Sequence, residues 1–432
     1  MTIAEVTALF VRAGCERLYA KPLAENDNSK NQVYFGPGFA ALTLFPNRGV
    51  NAHPTAEALT YRAGLDFSWM SDTGRLSPAP SAQLILYAQY PEVRFSGFLR
   101  GCADGPNELY NCRLPGRILF LGVTRQRQVI GYTAAGGSEL ALEFGVPAPT
   151  VGVFVELPLP VAAQPNQQVA LLAELCRIHN LGWIRSKRLD AQGNLLACEA
   201  RNCGGYTLEA ELGVRPNAEA EPDVFGFEVK QHRVAHFGGI GSARITLLTP
   251  EPNGGSYYRG GAERFIRRYG RAAADGNRID FVGTHRVGVR HRQTGLTLTL
   301  VDFNAANGII LGERGRIALV NDEGEEAASW GFAELMDHWA RKHAHAVYVP
   351  CRKRTEAPLA YSYGARVRLA QEPDFLRLLT AMANGQVRYD PGSKIENAAA
   401  ARSQTKARSQ FRIGAANIGT VYAQVETVNA CG

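Results

Sequence analysis

Along the first 155 positions, apolar residues recur in short runs broken by turn signals. Strand-like runs fall at Gln32–Phe35, Ala82–Tyr90, Arg117–Val123, Val129–Tyr132 and Gly152–Glu156, between PG, DTG, DGPN and AAGG breaks. Helical spacing predicts two helices, at Ile3–Cys15 and near Thr55–Ala63. This pattern predicts a small β-barrel or pseudobarrel with flanking helices. Leu157 to Gln168 then carries three prolines and a polar tail, the best linker in the chain. Beyond it the texture changes. Gln168–His179, Phe332–His343 and Glu372–Asn384 have helical spacing, and strand-like pieces fall at Asp223–Lys230, Ala243–Leu248, Arg286–Arg290, Leu296–Phe303 and Ala346–Pro350. The expected division is a β domain over 1–157, a linker over 158–168 and a mixed α/β domain over 169–432. Asn397–Ser409, rich in Ala, Arg and Lys, reads as mobile or solvated without a partner.

The 432-residue length agrees with two or three domains, and 45% apolar with 20% charged residues excludes wholesale disorder. The longest apolar stretch, Val146 to Val161, holds four prolines and a glutamate, so it does not read as a membrane span. The N-terminus lacks a basic segment before its apolar residues, and a cytoplasmic location is expected. Eight cysteines without a CxxC pair predict reduced, mostly structural thiols. Charge is unevenly placed. Residues 1–160 balance, with 13 basic and 13 acidic, so the whole net charge of +7 lies in the remainder and suggests a polyanionic partner.

The chemistry concentrates in Glu221-Pro-Asp-Val-Phe-Gly-Phe-Glu-Val-Lys230. On a strand, Glu228 and Lys230 share one face while Phe227 and Val229 point to a core. Asp223 is a short hairpin away and can lie beside Glu228. Two carboxylates about 4 Å apart repel by about 4 kcal/mol at an effective dielectric near 20, and a divalent cation reverses that sign. Oxygen-only ligands (Asp223, Glu228 and the Val229 carbonyl) suit Mg²⁺, with Mn²⁺ as a substitute. Lys230 would stabilise charge on a phosphate under attack. Glu209 stands 14 residues before Asp223 and could enter the same site from a helix; Glu211, two residues on, faces elsewhere. The same spacing also arises by chance on solvated strands. His232 and His236, at i, i+4 spacing, lack an evident third ligand, and His343 and His345 read as structural. Arg264, Arg267, Arg268 and Arg271 cluster on one expected helix face. Arg402, Lys406, Arg408 and Arg412 are the stronger candidates for DNA contact, since a basic tail packs poorly without a polyanion. No G-x-x-x-x-G-K-[ST] motif occurs, which disfavours ATP-driven chemistry.

At GGYTLEAELGVRPNAEAEPDVFGFEVK, ITLLTPEPNGGSYY, AELMDHWARKHAHAVYV, NGQVRYDPGSKIENAAA and KARSQFRI, the chain resembles the MvaI/BcnI family of restriction endonucleases in the PD-(D/E)xK superfamily. The resemblance implies a restriction-endonuclease-like mixed sheet. It makes Asp223, Glu228 and Lys230 the metal and phosphate residues and Glu209 an upstream acid, and implies a monomer that uses Mg²⁺ at short CC-S-GG or CC-W-GG sites. The stretch Arg408-Ser-Gln-Phe-Arg412 lacks the family's usual histidine. Residues 1–157 resemble instead an EcoRII-type effector DNA-binding domain, a pseudobarrel of the plant B-three type, through Lys21–Gln32, Tyr90–Gly97 and Pro115–Gly122.

Two arms of that domain carry groups able to read base edges: Lys21, Asn26, Asp27, Asn28, Lys30, Asn31 and Gln32 in one, Gln89, Glu92 and Arg94 in the other. The same residues also make an ordinary polar loop. The resulting expectation is a type II, specifically type IIE, restriction enzyme cutting double-stranded DNA at CCWGG, with the N-terminal domain binding a second copy of the site and a companion methyltransferase in the host. The alternatives are a non-cleaving, sequence-specific DNA-binding regulator with an inactive nuclease fold, and a structure-specific repair nuclease.

Overall fold

The computed structural model describes residues 1–432 except 29–31, 40, 55–58, 146, 160–166, 201, 216–221, 240, 242 and 401. The chain divides into two compact units, Met1–Gln164 and Pro165–Gly432. Most of the expected linker therefore lies outside the described residues.

In the first unit, two sheets enclose an aromatic core. One has the strand order Val155–Leu157, Cys15–Pro22, Ile118–Thr124, Val129–Ala134, Phe67–Met70 and Leu76–Pro78. The other runs Val33–Pro37, Glu92–Ser96, Gln83–Tyr87, Leu59–Gly64 and Val50–Pro54. Phe67 of the first sheet lies 5.1 Å, ring to ring, from Phe95 of the second, and Phe35 and Tyr19 converge on Phe45 and Phe154. Edge-to-face contacts of this kind add to the burial of large apolar surface that holds the sheets together. The N-terminal helix, Ile3–Arg12, starts from a Thr2/Glu5 capping box and buries Val6, Leu9 and Phe10. The helix expected near Thr55–Ala63 is a correction: residues 55–58 lie outside the described set, and Leu59–Gly64 is a central strand with partners on both edges. Its Leu59, Tyr61 and Ala63 are buried, so cross-strand packing overrides local helical spacing.

The second unit is built on a mixed sheet. Its order is Ile184–Arg185, Ala360–Tyr363, His345–Arg354, Arg366–Pro373 and Tyr422–Asn429, with Glu228–Arg233 added parallel to His345–Arg354. Ala346–Val349 is buried without a break, as a strand covered on both faces requires. Leu171, Leu175 and Ile178 of the helix Gln167–Asn180 pack with Val229, Val347, Val349 and Leu369 in one core. The helices Phe332–Lys342 and Phe375–Ala383 form where periodicity places them, the second capped by Asp374. Arg286–Arg290, expected as a strand, makes only isolated bridges. His232 is buried on the strand Glu228–Arg233 and His236 is exposed beyond it, so the helical pairing of the two is corrected. Part of the stretch read as mobile is ordered, with Gln404–Lys406 pairing Gly392–Glu396. The thiol reading is corrected for four of the eight cysteines: Cys176 is bonded to Cys431 and Cys198 to Cys203, while Cys15, Cys102, Cys112 and Cys351 are free thiols. The first pair joins residues 255 apart in sequence, a proximity that only the closed fold creates. Among the described residues, no helix is long and apolar enough to cross a membrane.

Candidate active site

A tight turn brings the two carboxylates together. Val224 pairs with Phe227 across Phe225 and Gly226, whose φ angles are 50° and 74°. Two successive positive φ values reverse the chain with the twist of the flanking strands. Asp223 is thereby folded back along the strand that follows, and its Oδ2 accepts a hydrogen bond from the Val229 amide at 2.8 Å. Glu228 is 1% exposed, and Lys230 donates to its Oε1, as expected for i and i+2 on one strand face. Lys342, from the end of the helix Phe332–Lys342, places its Nζ 3.7 Å from the same oxygen. The other oxygen, Oε2, is buried with no hydrogen-bond partner. Burial raises the Glu228 carboxyl above its usual range, against the pull of Lys230.

Glu209 reaches the site from the helix Cys203–Glu211. Gly204 lets that helix press against the sheet, since a Cβ there would lie 3.1 Å from the Tyr361 ring, and the Tyr363 hydroxyl donates to the Gly204 carbonyl at 2.7 Å. Burial, and next the charge of Asp223, push the Glu209 carboxyl up to about 7, while Lys230 opposes them. Glu211 faces elsewhere, as its position predicts, and pairs with Lys187 and with Arg177 at 3.5 Å.

Glu209 and Lys230 line a cleft of about 660 Å³ whose opposite wall carries Arg244, Asp390, Arg408 and Arg412. Strand pairing builds that wall: Phe411–Gly414 lies between Arg244–Leu248 and Val387–Tyr389. Asp390 accepts from Arg412 at 2.8 Å and from the Thr284 hydroxyl at 3.1 Å, and Arg244 approaches to 3.5 Å. The sequence reading missed Asp390, Arg244 and Lys342. A lone aspartate or arginine carries no local signal; only the sheet brings them to Lys230. Of the other basic candidates, Lys406 pairs with Glu396 at 2.7 Å and Arg402 is exposed. Arg267 and Arg268 are tied to Glu263 and Glu325.

Among the described residues, no three His, Cys, Asp or Glu side chains gather as a metal cluster. The donor set that fits a hard cation is smaller: Asp223, Glu228 and the Val229 carbonyl, with the orphaned Glu228 Oε2 as the observation in its favour.

In the N-terminal unit the arm residues divide. Lys21 and Asp27 form a buried ion pair at 2.5 Å, and Asn28 is buried beside them. Asp27 also accepts from the amides of Ala24 and Tyr34 at 3.1 and 2.8 Å. These residues therefore fold the arm from inside, a correction to their reading as base contacts. Arg117, fully buried, completes that scaffold by donating to the carbonyls of Ala24, Asp27, Leu109 and Leu114. Asn26 and Gln89 are exposed, Gln32 accepts from the Tyr87 hydroxyl at 3.2 Å, and Arg94 donates to Glu92 at 2.7 Å. Lys30 and Asn31 lie outside the described residues.

No curated protein gives a significant match. Among solved structures, MvaI in complex with its cognate DNA substrate is 16% identical, over 61% of this chain and 99% of that one, with a TM-score of 0.48. MvaI in the absence of DNA is 15% identical, over 62% and 100%, with a TM-score of 0.33. The UbaLAI restriction endonuclease B3 domain with cognate DNA is 20% identical, over 36% and 98%, with a TM-score of 0.24. The MvaI/BcnI restriction endonuclease family matches residues 172–422, more than half the chain and the span that carries Asp223, Glu228, Lys230 and Glu209. The chain belongs to the MvaI/BcnI restriction endonuclease family and is a site-specific endonuclease.

Proposed function

We propose that the C-terminal unit hydrolyses phosphodiester bonds of double-stranded DNA with Mg²⁺, at a short site of the CCWGG type. The observation that carries this reading is the meeting of Asp223, Glu228 and Lys230 on one turn and strand, with Lys230 and Glu209 in the wall of an arginine-lined cleft. Asp223, Glu228 and the Val229 carbonyl would hold the metal, which when bound polarises the phosphate and lowers the pKa of a coordinated water. The Val229 amide keeps the Asp223 carboxylate aimed along the strand. Lys230, which donates to Glu228 beside the cleft, would offer its ammonium to the negative charge that grows on the phosphate. Glu209, whose carboxyl burial pushes up to about 7, can hold or pass a proton at the cleft edge near neutral pH. Arg244, Arg408 and Arg412 offer charge to the backbone and planar donors to guanine edges. Arg402 and Lys406 extend the basic surface.

The N-terminal unit is proposed to bind a second copy of the site through Asn26, Gln32, Gln89, Glu92 and Arg94, on an arm stiffened by Lys21, Asp27 and Arg117. The whole would then be a type IIE enzyme, acting as a monomer. Lys230→Ala is expected to reduce cleavage at least 100-fold while duplex binding persists. A wild-type protein that leaves DNA intact in both Mg²⁺ and Mn²⁺ would instead be a DNA-binding regulator. Plasmids with one and two sites, with or without a short specific duplex, test the effector role: equal rates in all four reactions refute it.

A further inference from the structure

The strand that carries Lys230 ends at Arg233, three residues on and about 10 Å away at a strand's rise. Arg233 pairs in parallel register with Cys351, so the neighbouring strand delivers Arg352, Lys353 and Arg354 to the same end of the sheet. Arg233, Arg352 and Lys353 line a second concavity of about 440 Å³, floored by Val234, Ala235, Gly241 and Ala243. Arg185 joins them through the register: it pairs with Ala360, which pairs with Arg354. None of these five cations has a carboxylate partner among the described residues, whereas Arg177, Arg267, Arg268, Arg290 and Arg341 all do.

The patch is also ordered. Arg352 stacks over Trp183 at 5.5 Å and Phe237 at 5.7 Å, and Arg354 over Trp183 at 5.2 Å. Trp183 is itself 39% exposed, so the rings fix guanidinium planes at the surface without covering them. The rings leave these cations without a carboxylate partner among the described residues, and a polyanion supplies the missing negative charge. The cleft and the patch draw on the same two stretches of chain: Lys230, Gln231 and Arg244 line the first, Arg233 and Ala243 the second.

We infer that this patch is a second backbone-binding site, which grips DNA phosphates flanking the segment held in the cleft. The inference rests on the nuclease reading for its orientation, and adds a footprint longer than the recognition site. A duplex carries one negative charge per about 1.7 Å of its axis, so DNA running out of the cleft presents several phosphates within the 10 Å or so to Arg233. The grip is independent of sequence.

The test uses the full chain in EDTA, with fluorescein-labelled random-sequence duplexes of 12 and 30 base pairs, read by anisotropy from 50 to 200 mM salt. Replacing Arg233, Arg352 and Arg354 together by alanine should cut the affinity advantage of the longer duplex at least 10-fold. It should also flatten the slope of log affinity against log salt by about 0.9 for each phosphate no longer neutralised. The triple lysine variant, which keeps the charge, should restore most of the slope and separates removal of the cations from damage to the fold. An alanine variant with wild-type length dependence and slope overturns the patch but leaves the nuclease reading standing. A failure of the wild type to cut plasmid overturns the nuclease reading without altering this readout.

Discussion

Charged side chains inside the protein carry structural duties that their residue types do not announce. Lys21 and Asp27 resemble base-reading groups in sequence, yet both are buried and bonded to each other. Such pairs are legible only once the fold supplies the partner and removes the water. Asp27→Ala leaves the Lys21 ammonium buried and unpaired, so we expect a loss of about 3–5 kcal/mol in the N-terminal unit, read by chemical denaturation. A joint Lys21→Met/Asp27→Leu exchange should cost much less. His285 offers a pH probe at the same scale. Burial, and next the charge of His291, push it down to about 4. The unfolded imidazole protonates below about 6.5, while the folded one stays neutral until about 4. Its contribution is therefore complete above pH 6.5 and disappears as pH falls through that window, on the order of 3 kcal/mol in all. In His285→Gln, unfolding free energy should vary less between pH 6.5 and 4 than in the wild type.

At the scale of elements, periodicity foretold the helices Gln167–Asn180, Phe332–Lys342 and Phe375–Ala383, whose buried residues recur three and four apart. It misjudged Leu59–Gly64, because a strand in the middle of a sheet is decided by neighbours distant in sequence. The turn that carries Asp223 was half legible. The alternation of Glu228, Val229 and Lys230 fixed which side chains share a face. The positive φ of Phe225, and the hydrogen bond that swings Asp223 beside Val229, needed coordinates. Gly226 holds φ 74°, and a Cβ there would also come within 2.8 Å of the Gln167 side chain. Gly226→Val should therefore displace Asp223 and slow cleavage at least 10-fold while leaving duplex affinity within about twofold. Parallel cleavage and binding assays decide it; a variant that cuts at the wild-type rate removes the turn from the account.

For the whole molecule, charge placement was the most informative global signal: the entire positive excess falls in the half that bears the cleft and the Arg233–Arg354 patch. Which arginines share a wall was hidden, since Arg244, Asp390 and Arg412 come from three separated segments. So was the pairing of Cys176 with Cys431, where sequence spacing argues nothing. That bond has a consequence for how the endonuclease half breaks. Its first helix is tied to its last residues, so the span between them is a covalent loop. A protease that nicks an exposed turn such as Asp322–Gly324 cannot release a fragment. On a gel the nicked protein should migrate as one band until a reductant is added and as two afterwards, and Cys431→Ser should yield two bands from the start.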